Sequence, residues 1–320
     1  MPEATGSKVM PTPAGARTRR PRVSLAMIVR DEEAHLPGCL EGCAGAVDEI
    51  VVVDTGSVDR TREIALSYGA KVYDFPWCDD FSAARNESLR RATGDWIFWM
   101  DADDRLDETN RERLAELFEG LAGERWLVSF DVHCPDSPDG SRGNLVRQWR
   151  LFRHLPELHW QGRIHEDLVP PIEQLGGTTR HAPIKVEHLG YLDAAGRPRR
   201  IERNLRLLRL QLADLPNDPR TLFYLGHTLW CDGRAAEAVP VLEQCRQIAR
   251  PGAWYLPALY AALVECLLKL GKSGQARGVC LAALVACPTD ATLLRLHSQL
   301  VQPDGRAWGG TVVVDGGGGS

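Results

Sequence analysis

Asp101, Asp103 and Asp104 follow directly on the apolar run Trp96-Ile97-Phe98-Trp99-Met100. Carboxylates this close repel one another unless a cation lies between them. A hard divalent ion that brings its own phosphates is the natural partner. The plainer use of Asp103 and Asp104 is to cap a helix predicted to begin near Glu108. Four other places carry polar groups suited to chemistry: Glu32 in Arg30-Asp31-Glu32-Glu33, Asp54 before Thr55-Gly56-Ser57, Arg85-Asn86, and the run Gly162-Arg163-Ile164-His165-Glu166-Asp167. His188, in Val186-Glu187-His188-Leu189-Gly190-Tyr191, adds an imidazole. Asp54 can accept from the imide N–H of a uracil or thymine, and Arg85 can pair with a diphosphate or with Asp54. Glu166, with Asp167 as its substitute, is a carboxylate that could serve as a general base.

These groups need a scaffold that brings strand ends together. The run 96–100, opened by Gly94, reads as a strand buried on both faces, as in a parallel sheet. Period-two alternation then puts Asp101 and Asp103 on one side. Carboxylates past the C-terminal end of such a strand face the crevice where open α/β sheets bind ligands. Val23 to Val29, Glu49 to Asp54 and Lys71 to Phe75 are further strands, separated by helices through Leu40, up to Tyr68, and from Asp80 to Ala92. Strand and helix alternating at this spacing predict βαβ units and a doubly wound sheet. After Leu121 the pattern changes to strands at Trp126 to Val132, Gln148 to Phe152 and Ile184 to His188, joined by Pro- and Gly-rich segments of the kind that form functional loops.

From Arg199 onward helical periodicity takes over. Gly233-Arg234-Ala235-Ala236-Glu237-Ala238 recurs as Gly271-Lys272-Ser273-Gly274-Gln275-Ala276, an offset of 38 residues. Leu222, Leu225, Gly226, Leu229, Ala238 and Leu242 fall where a tetratricopeptide repeat places its small and apolar residues. Pro219 and Pro251 punctuate the ends. Ile201 to Leu215 reads as a preceding half-repeat and Ala291 to Val301 as a terminal helix. Such stacks offer a concave docking face for a peptide or protein, or serve as a lid or a homodimer contact.

Composition narrows the field. The 44% apolar and 25% charged residues suit a globular chain with a proper core, and 320 residues suit two domains. A net charge of −5 supplies no general field for nucleic acid or anionic membrane. No run of 18 apolar residues and no signal-type segment is present, which predicts a soluble cytoplasmic protein without a membrane span. Nine cysteines, none in a Cys-x-x-Cys pair, predict buried reduced thiols. The first βα turn, Val29 to Glu33, holds no glycine, and its acids would repel a pyrophosphate, so a nicotinamide dinucleotide site is excluded. A P-loop is absent as well.

Four motifs, in order, resemble family 2 glycosyltransferases of the GT-A fold: Val23 to Glu33, Val51 to Asp59, Phe81 to Asn86 and Ala92 to Asp104. The helical tail narrows this to the subgroup that includes the SunS-like peptide S-glycosyltransferases. The resemblance implies that Asp54 meets the nucleotide base, Thr55 belongs to the donor site, Glu32 lies by the nucleoside, and Arg85 holds the nucleotide. It implies that Asp101, Ala102 and Asp103 serve the donor's diphosphate and sugar, with Asp101 and Asp103 on Mg2+ or Mn2+. His188 and His165 are candidates to complete the metal shell or line the acceptor side. Arg30-Asp31 stands where Lys/Arg-Asn is commoner in the family.

The expectation is a GT-A domain over 21–196 and tetratricopeptide-like repeats over 197–303, between flexible tails at 1–20 and 304–320. The expected function is a metal-dependent inverting glycosyltransferase, moving a sugar from a nucleotide donor (a UDP-hexose) to a peptide, protein or other acceptor. The competing readings are a silent tetratricopeptide scaffold and a nucleotidyltransferase. Intact Asp101, Asp103 and Glu166 speak against the first, and the acidic turn at Asp31 to Glu33 against the second.

Overall fold

The computed structural model describes residues 20–135, 137, 142–193 and 195–301. Of the tails predicted at 1–20 and 304–320, all but Arg20 lie outside these described residues. Val23–Val29 (β1), Glu49–Asp54 (β2), Lys71–Asp74 (β3) and Trp96–Trp99 (β4) run parallel in the order β3-β2-β1-β4. Their crossovers carry Leu36–Cys43 (α1), Thr61–Ser67 (α2) and Phe81–Arg91 (α3). Every position of β2 and β4 is buried, as parallel strands covered on both faces require. Asp80 starts α3 by accepting from the Ala83 amide at 3.0 Å. Gly94 admits β4 beside β1, since a Cβ there would meet Ser24 Oγ at 2.6 Å.

Past β4 the sheet is mixed. Asp104–Arg105 (β5), Glu108–Glu119 (α4), Trp126–Pro135 (β6) and Gly143–Arg153 (β7) come next. His159–Gln161 (β8) and Asp167–Val169 (β9) form a separate antiparallel ribbon, and Thr178–His188 (β10) rejoins the main sheet. The full order is β3-β2-β1-β4-β7-β6-β10-β5. The doubly wound expectation therefore describes the first four strands only. A connection of seven residues between β6 and β7 leaves no room for a crossover, so these two pair antiparallel. The strands of this half also outrun the apolar runs from which they were predicted.

The sheet must curl. β5 lies four strand spacings from β4 in the ladder, about 19 Å if flat. Asp104 is only five residues on from Trp99, a reach of at most about 18 Å fully extended. The intervening residues form a tight turn instead, and β10 carries β5 back over β4. One face of this sheet packs Leu25, Met27, Trp96, Phe98 and Phe130 against α1 and α4. The other packs Ala26, Val51, Ile97 and Trp99 with Leu89 of α3 and Trp160 of β8.

The helices Arg197–Asp214 (α5), Pro219–Cys231 (α6), Ala235–Ile248 (α7), Leu256–Lys269 (α8), Ser273–Ala286 (α9) and Ala291–Val301 (α10) follow. The 38-residue offset marks two helix hairpins of one build, α6–α7 and α8–α9, with Gly233 and Gly271 at φ 78° and 71° after the first helix of each. Gly226 lets α7 approach α6, for a Cβ would meet Leu242 Cδ2 at 2.5 Å. Pro219 opens α6 rather than ending its predecessor. None of these helices is long and apolar enough to cross a membrane among the described residues. Ile164, from the loop before β9, belongs to the helical core with Leu205, Leu208 and Phe223. The helices thus hold a loop of the sheet region directly.

Candidate active site

Residues Asp101 to Asp104 form a turn closed by Asp104 N donating to Asp101 O at 3.1 Å and Asp101 N donating to Asp104 Oδ2 at 2.8 Å. This turn, not the alternation of a strand, brings Asp101 and Asp103 together, because β4 ends at Trp99. Neither Asp103 nor Asp104 caps α4. Asp107 does so, accepting from Asn110 N at 2.8 Å. β10 then returns His188 alongside Asp104, and the four side chains of Asp101, Asp103, Asp104 and His188 each offer an atom within 4.8 Å of the others. Gly190 is required beside them, since a Cβ there would strike Asp103 Oδ2 and come within 3.1 Å of His188 Nε2.

Each acid in this group is tuned by its neighbours. Burial alone would raise Asp104, but Arg150 and His188 outweigh it and hold its carboxyl below the ordinary range. Arg150 Nη1 sits 2.7 Å from Asp104 Oδ2, with both side chains inaccessible to solvent. Asp103 is pushed up, first by burial and then by Asp101 and Asp104, against the pull of His188. Burial would lower His188, yet its hydrogen bond to Asp104 and the charges of Asp103 and Asp101 raise it to about 9. Its Nδ1 lies 2.9 Å from Asp104 Oδ1 and 3.4 Å from Asp103 Oδ1. The His188 imidazolium, with Arg150 on Asp104 and Arg85 on Asp101, offsets the repulsion among these acids. Three carboxylates and one imidazole form a donor set that fits Mn2+ or Mg2+, and the nitrogen donor favours Mn2+.

Trp99 aligns two guanidiniums at the end of β4. Arg150 lies over its ring at 3.9 Å and Arg85 at 4.2 Å, with Trp160 a further 5.4 Å neighbour of Arg85. Arg85 does not meet Asp54. Its Nε donates to Glu166 at 2.5 Å and its Nη2 to Asp101 at 3.2 Å. Burial would lower Arg85, but Glu166 and Asp101 overcome that and raise it. Asn86, next along α3, exchanges two 2.8 Å hydrogen bonds with the Trp160 backbone and so fixes β8 against the helix.

The loop 162–167 is pinned from the helical side. Gln211 of α5 accepts from the Arg163 amide at 2.6 Å, Arg220 of α6 donates to His165 O at 3.1 Å, and Arg220 also pairs with the Asp167 carboxylate. The His165 ring stacks on Tyr224 with centroids 3.7 Å apart. The expectation that His165 joins the metal shell is therefore corrected: His165 points to α6, and His188 alone of the two stands among the acids. Glu166 and Asp167 point apart, one to Arg85 and the other to Arg220.

On the first two strand ends, Asp54 is buried. Burial would raise it, but bonds from Ser57 Oγ (2.6 Å), Ser57 N (2.9 Å), Arg62 Nη1 (3.0 Å) and Gly56 N (3.3 Å) keep it low. The same carboxylate thus builds the turn Thr55 to Ser57. Thr55 Oγ1 donates to Val29 O at 3.1 Å, tying that turn to β1. Ala102 is buried in the core between the two outer acids. Burial first, and then the charges of Asp103, Asp101 and Asp59, raise Glu32 to about 7. Its backbone N donates to Thr61 Oγ1 at 2.7 Å. Asp31, at φ 54°, accepts from Val58 N at 2.8 Å and shapes the turn.

Sequence reasoning did not find Arg150 or Arg62. One signal existed for Arg150: a lone cation in the run Trp149-Arg150-Leu151-Phe152, at a position facing the core.

Comparison with known proteins places residues 24–167 in the match to the family model described as glycosyl transferase family 2. A TPR repeat-containing protein of Synechococcus elongatus is 37% identical over 238 residues, covering 72% of this chain and 58% of that protein. The SPbeta prophage-derived glycosyltransferase SunS of Bacillus subtilis is 28% identical, covering 70% of this chain and 53% of its own length. The chain thus spans little more than half the length of these curated relatives. A glucosyl-3-phosphoglycerate synthase of Mycobacterium tuberculosis, solved with Mn2+, UDP and glucosyl-3-phosphoglycerate, aligns at 18% identity over 57% of this chain and 78% of that one, with a TM-score of 0.40.

Proposed function

With residues 24–167 forming a glycosyltransferase family 2 domain, we propose that the protein is a metal-dependent, inverting glycosyltransferase. It would transfer a sugar, a hexose from UDP, to a peptide, protein or other acceptor. The observation that carries this reading is Arg85, which links the acids at the end of β4 to Glu166.

Asp101 and Asp103, with Asp104 and His188 behind them, would hold Mg2+ or Mn2+. The ion supplies charge neutralisation for the departing nucleoside diphosphate. Arg85 is placed to take a share of that negative charge, and its guanidinium then leaves Glu166. Glu166 accepts the proton of the acceptor nucleophile from the side of the sugar away from the diphosphate, which inverts the anomeric centre. Trp99 and Trp160 keep the Arg85 fork dry and oriented. Glu32 and Asp54 line the nucleoside side, where Asp54 has capacity left on Oδ2 for one more donor.

The helical region resembles tetratricopeptide repeats, and its part in this reading is to hold the loop of Glu166 in place. A cytoplasmic setting goes with nine cysteines that are all free thiols. The test is a panel of UDP-, GDP- and TDP-sugars with Mn2+, read by nucleotide release and thermal shift. One donor class should raise the melting temperature and release nucleotide only with metal. No response to any donor, or full release in excess chelator, defeats the proposal.

A further inference from the structure

Helix α5, whose Gln211 accepts from the Arg163 amide on the loop of Glu166, carries a row of cations. Arg199, Arg203, Arg206 and Arg209 recur at helical spacing and share one face. With Glu202 and Leu210 they line an open groove of about 660 Å3. Part of this charge is already neutralised: Arg206 pairs with Asp79 at 2.6 Å, and Arg209 stands 3.9 Å from Glu237. Arg200, on the adjoining face, pairs with Asp193 at 3.2 Å. Among the described residues no carboxylate lies within ion-pair distance of Arg199 or Arg203, and Arg203 bonds only to the side-chain amide of Asn204.

Exposed arginines are commonly just solvated, but Arg203 is placed by its surroundings. Its guanidinium lies over the ring of Phe81 at 5.0 Å, and Phe81 opens the helix that carries Arg85. Phe81 N donates to Arg163 O at 2.9 Å, on the loop of Glu166. Burial and the neighbouring Arg200 lower the Arg203 guanidinium, against the pull of the Glu166 charge. Arg203 thus stands between the groove and the two segments that carry Arg85 and Glu166.

We propose that this groove is the acceptor subsite, and that the acceptor carries a phosphate or carboxylate held by Arg199 and Arg203. The proposal rests on the reading of Glu166 as acceptor base. Two guanidinium forks suit a planar or tetrahedral oxyanion, through paired N–H donors. A neutral acceptor would leave both cations unmatched. An anionic acceptor beside the Glu166 carboxylate needs a cation between them, which Arg203 supplies.

The test uses the full chain, inorganic phosphate and glycerate as probes, and calorimetry in excess chelator, where the acids of the metal site repel anions. Wild type should bind at least one probe in the millimolar range. The double variant Arg199→Ser/Arg203→Ser should bind it about tenfold or more weakly, with the stronger probe naming phosphate or carboxylate as the preferred group. Arg209→Ser, at the far end, should shift affinity less than threefold. UDP binding with Mg2+, measured separately, should be equal in all three and reports the folded state. Equal probe affinity in wild type and the double variant, or no binding of either probe by wild type, overturns the proposal. Loss of UDP binding in wild type with the groove still loading phosphate would instead strike at the glycosyltransferase reading.

Discussion

Arg85 holds Glu166 and Asp101 on a single guanidinium, 2.5 Å from one and 3.2 Å from the other. The proposed base and a proposed metal ligand are thus locked to each other before any substrate arrives. If Glu166 takes the acceptor's proton, its contribution exists mainly in the transition state. Glu166→Gln should then lower kcat by roughly 10²–10⁴-fold with little change in donor affinity. Asp167→Asn, which disturbs only the pair with Arg220, should cost much less. Steady-state kinetics on both variants decides; greater damage from Asp167→Asn would move the base to the neighbour.

The imidazole at the proposed metal site should make metal binding depend on pH. His188 is protonated up to about pH 9 in the metal-free chain, and it must be neutral to ligate. Mn2+ affinity should therefore rise with pH from 6 toward 9, with proton release visible as a buffer-dependent heat. His188→Asn should flatten that rise and shrink the preference for Mn2+ over Mg2+. Calorimetry in two buffers measures both, and an unchanged pH slope in the variant would remove His188 from the ligand set.

Much of this arrangement was legible in the residues and some was not, for local reasons. The buried run 96–99 and the acids behind it are a contiguous signal, so β4 and its charged end could be placed. The terminal helix α10 spans Ala291–Val301, as its apolar spacing predicts. The two-residue β5 carries no signal of its own, because its partners Glu187 and His188 lie more than eighty residues on. Asp104 meets Arg150 from another strand for the same reason. His165 and His188 look alike as letters. Only the stacking of Tyr224, a residue of the helical region, sends the first away from the acids.

The helices hold the Glu166 loop by Gln211, Arg220 and Tyr224, none of which touches the acids. Arg220→Met should let the loop drift and lower kcat about 10- to 100-fold, the scale for misplacing a catalytic group. UDP affinity should stay within twofold, since the proposed nucleoside side lies on β1 and β2, and Arg220→Lys should restore part of the rate. A matching loss of UDP affinity would mean that the substitution unfolds the site rather than misaligns it.

Glu265 is buried in α8, where Trp230 Nε1 donates to its Oε2 at 3.1 Å and Oε1 finds no partner among the described residues. Burial raises its carboxyl to about 7 despite the Trp230 bond. Between the unfolded value of 4.5 and about 7, the folded chain binds the extra proton, so stability falls as pH rises through this window. The full cost above pH 7 is of the order of 3 kcal/mol. Glu265→Gln keeps an acceptor for Trp230 and carries no charge at any pH. It should melt several degrees above wild type at pH 8, and the gap should close as pH falls toward 4.5. Thermal melts at pH 5 and 8 test this. A gap that is the same at both values would show that Glu265 is not charged within the helical core.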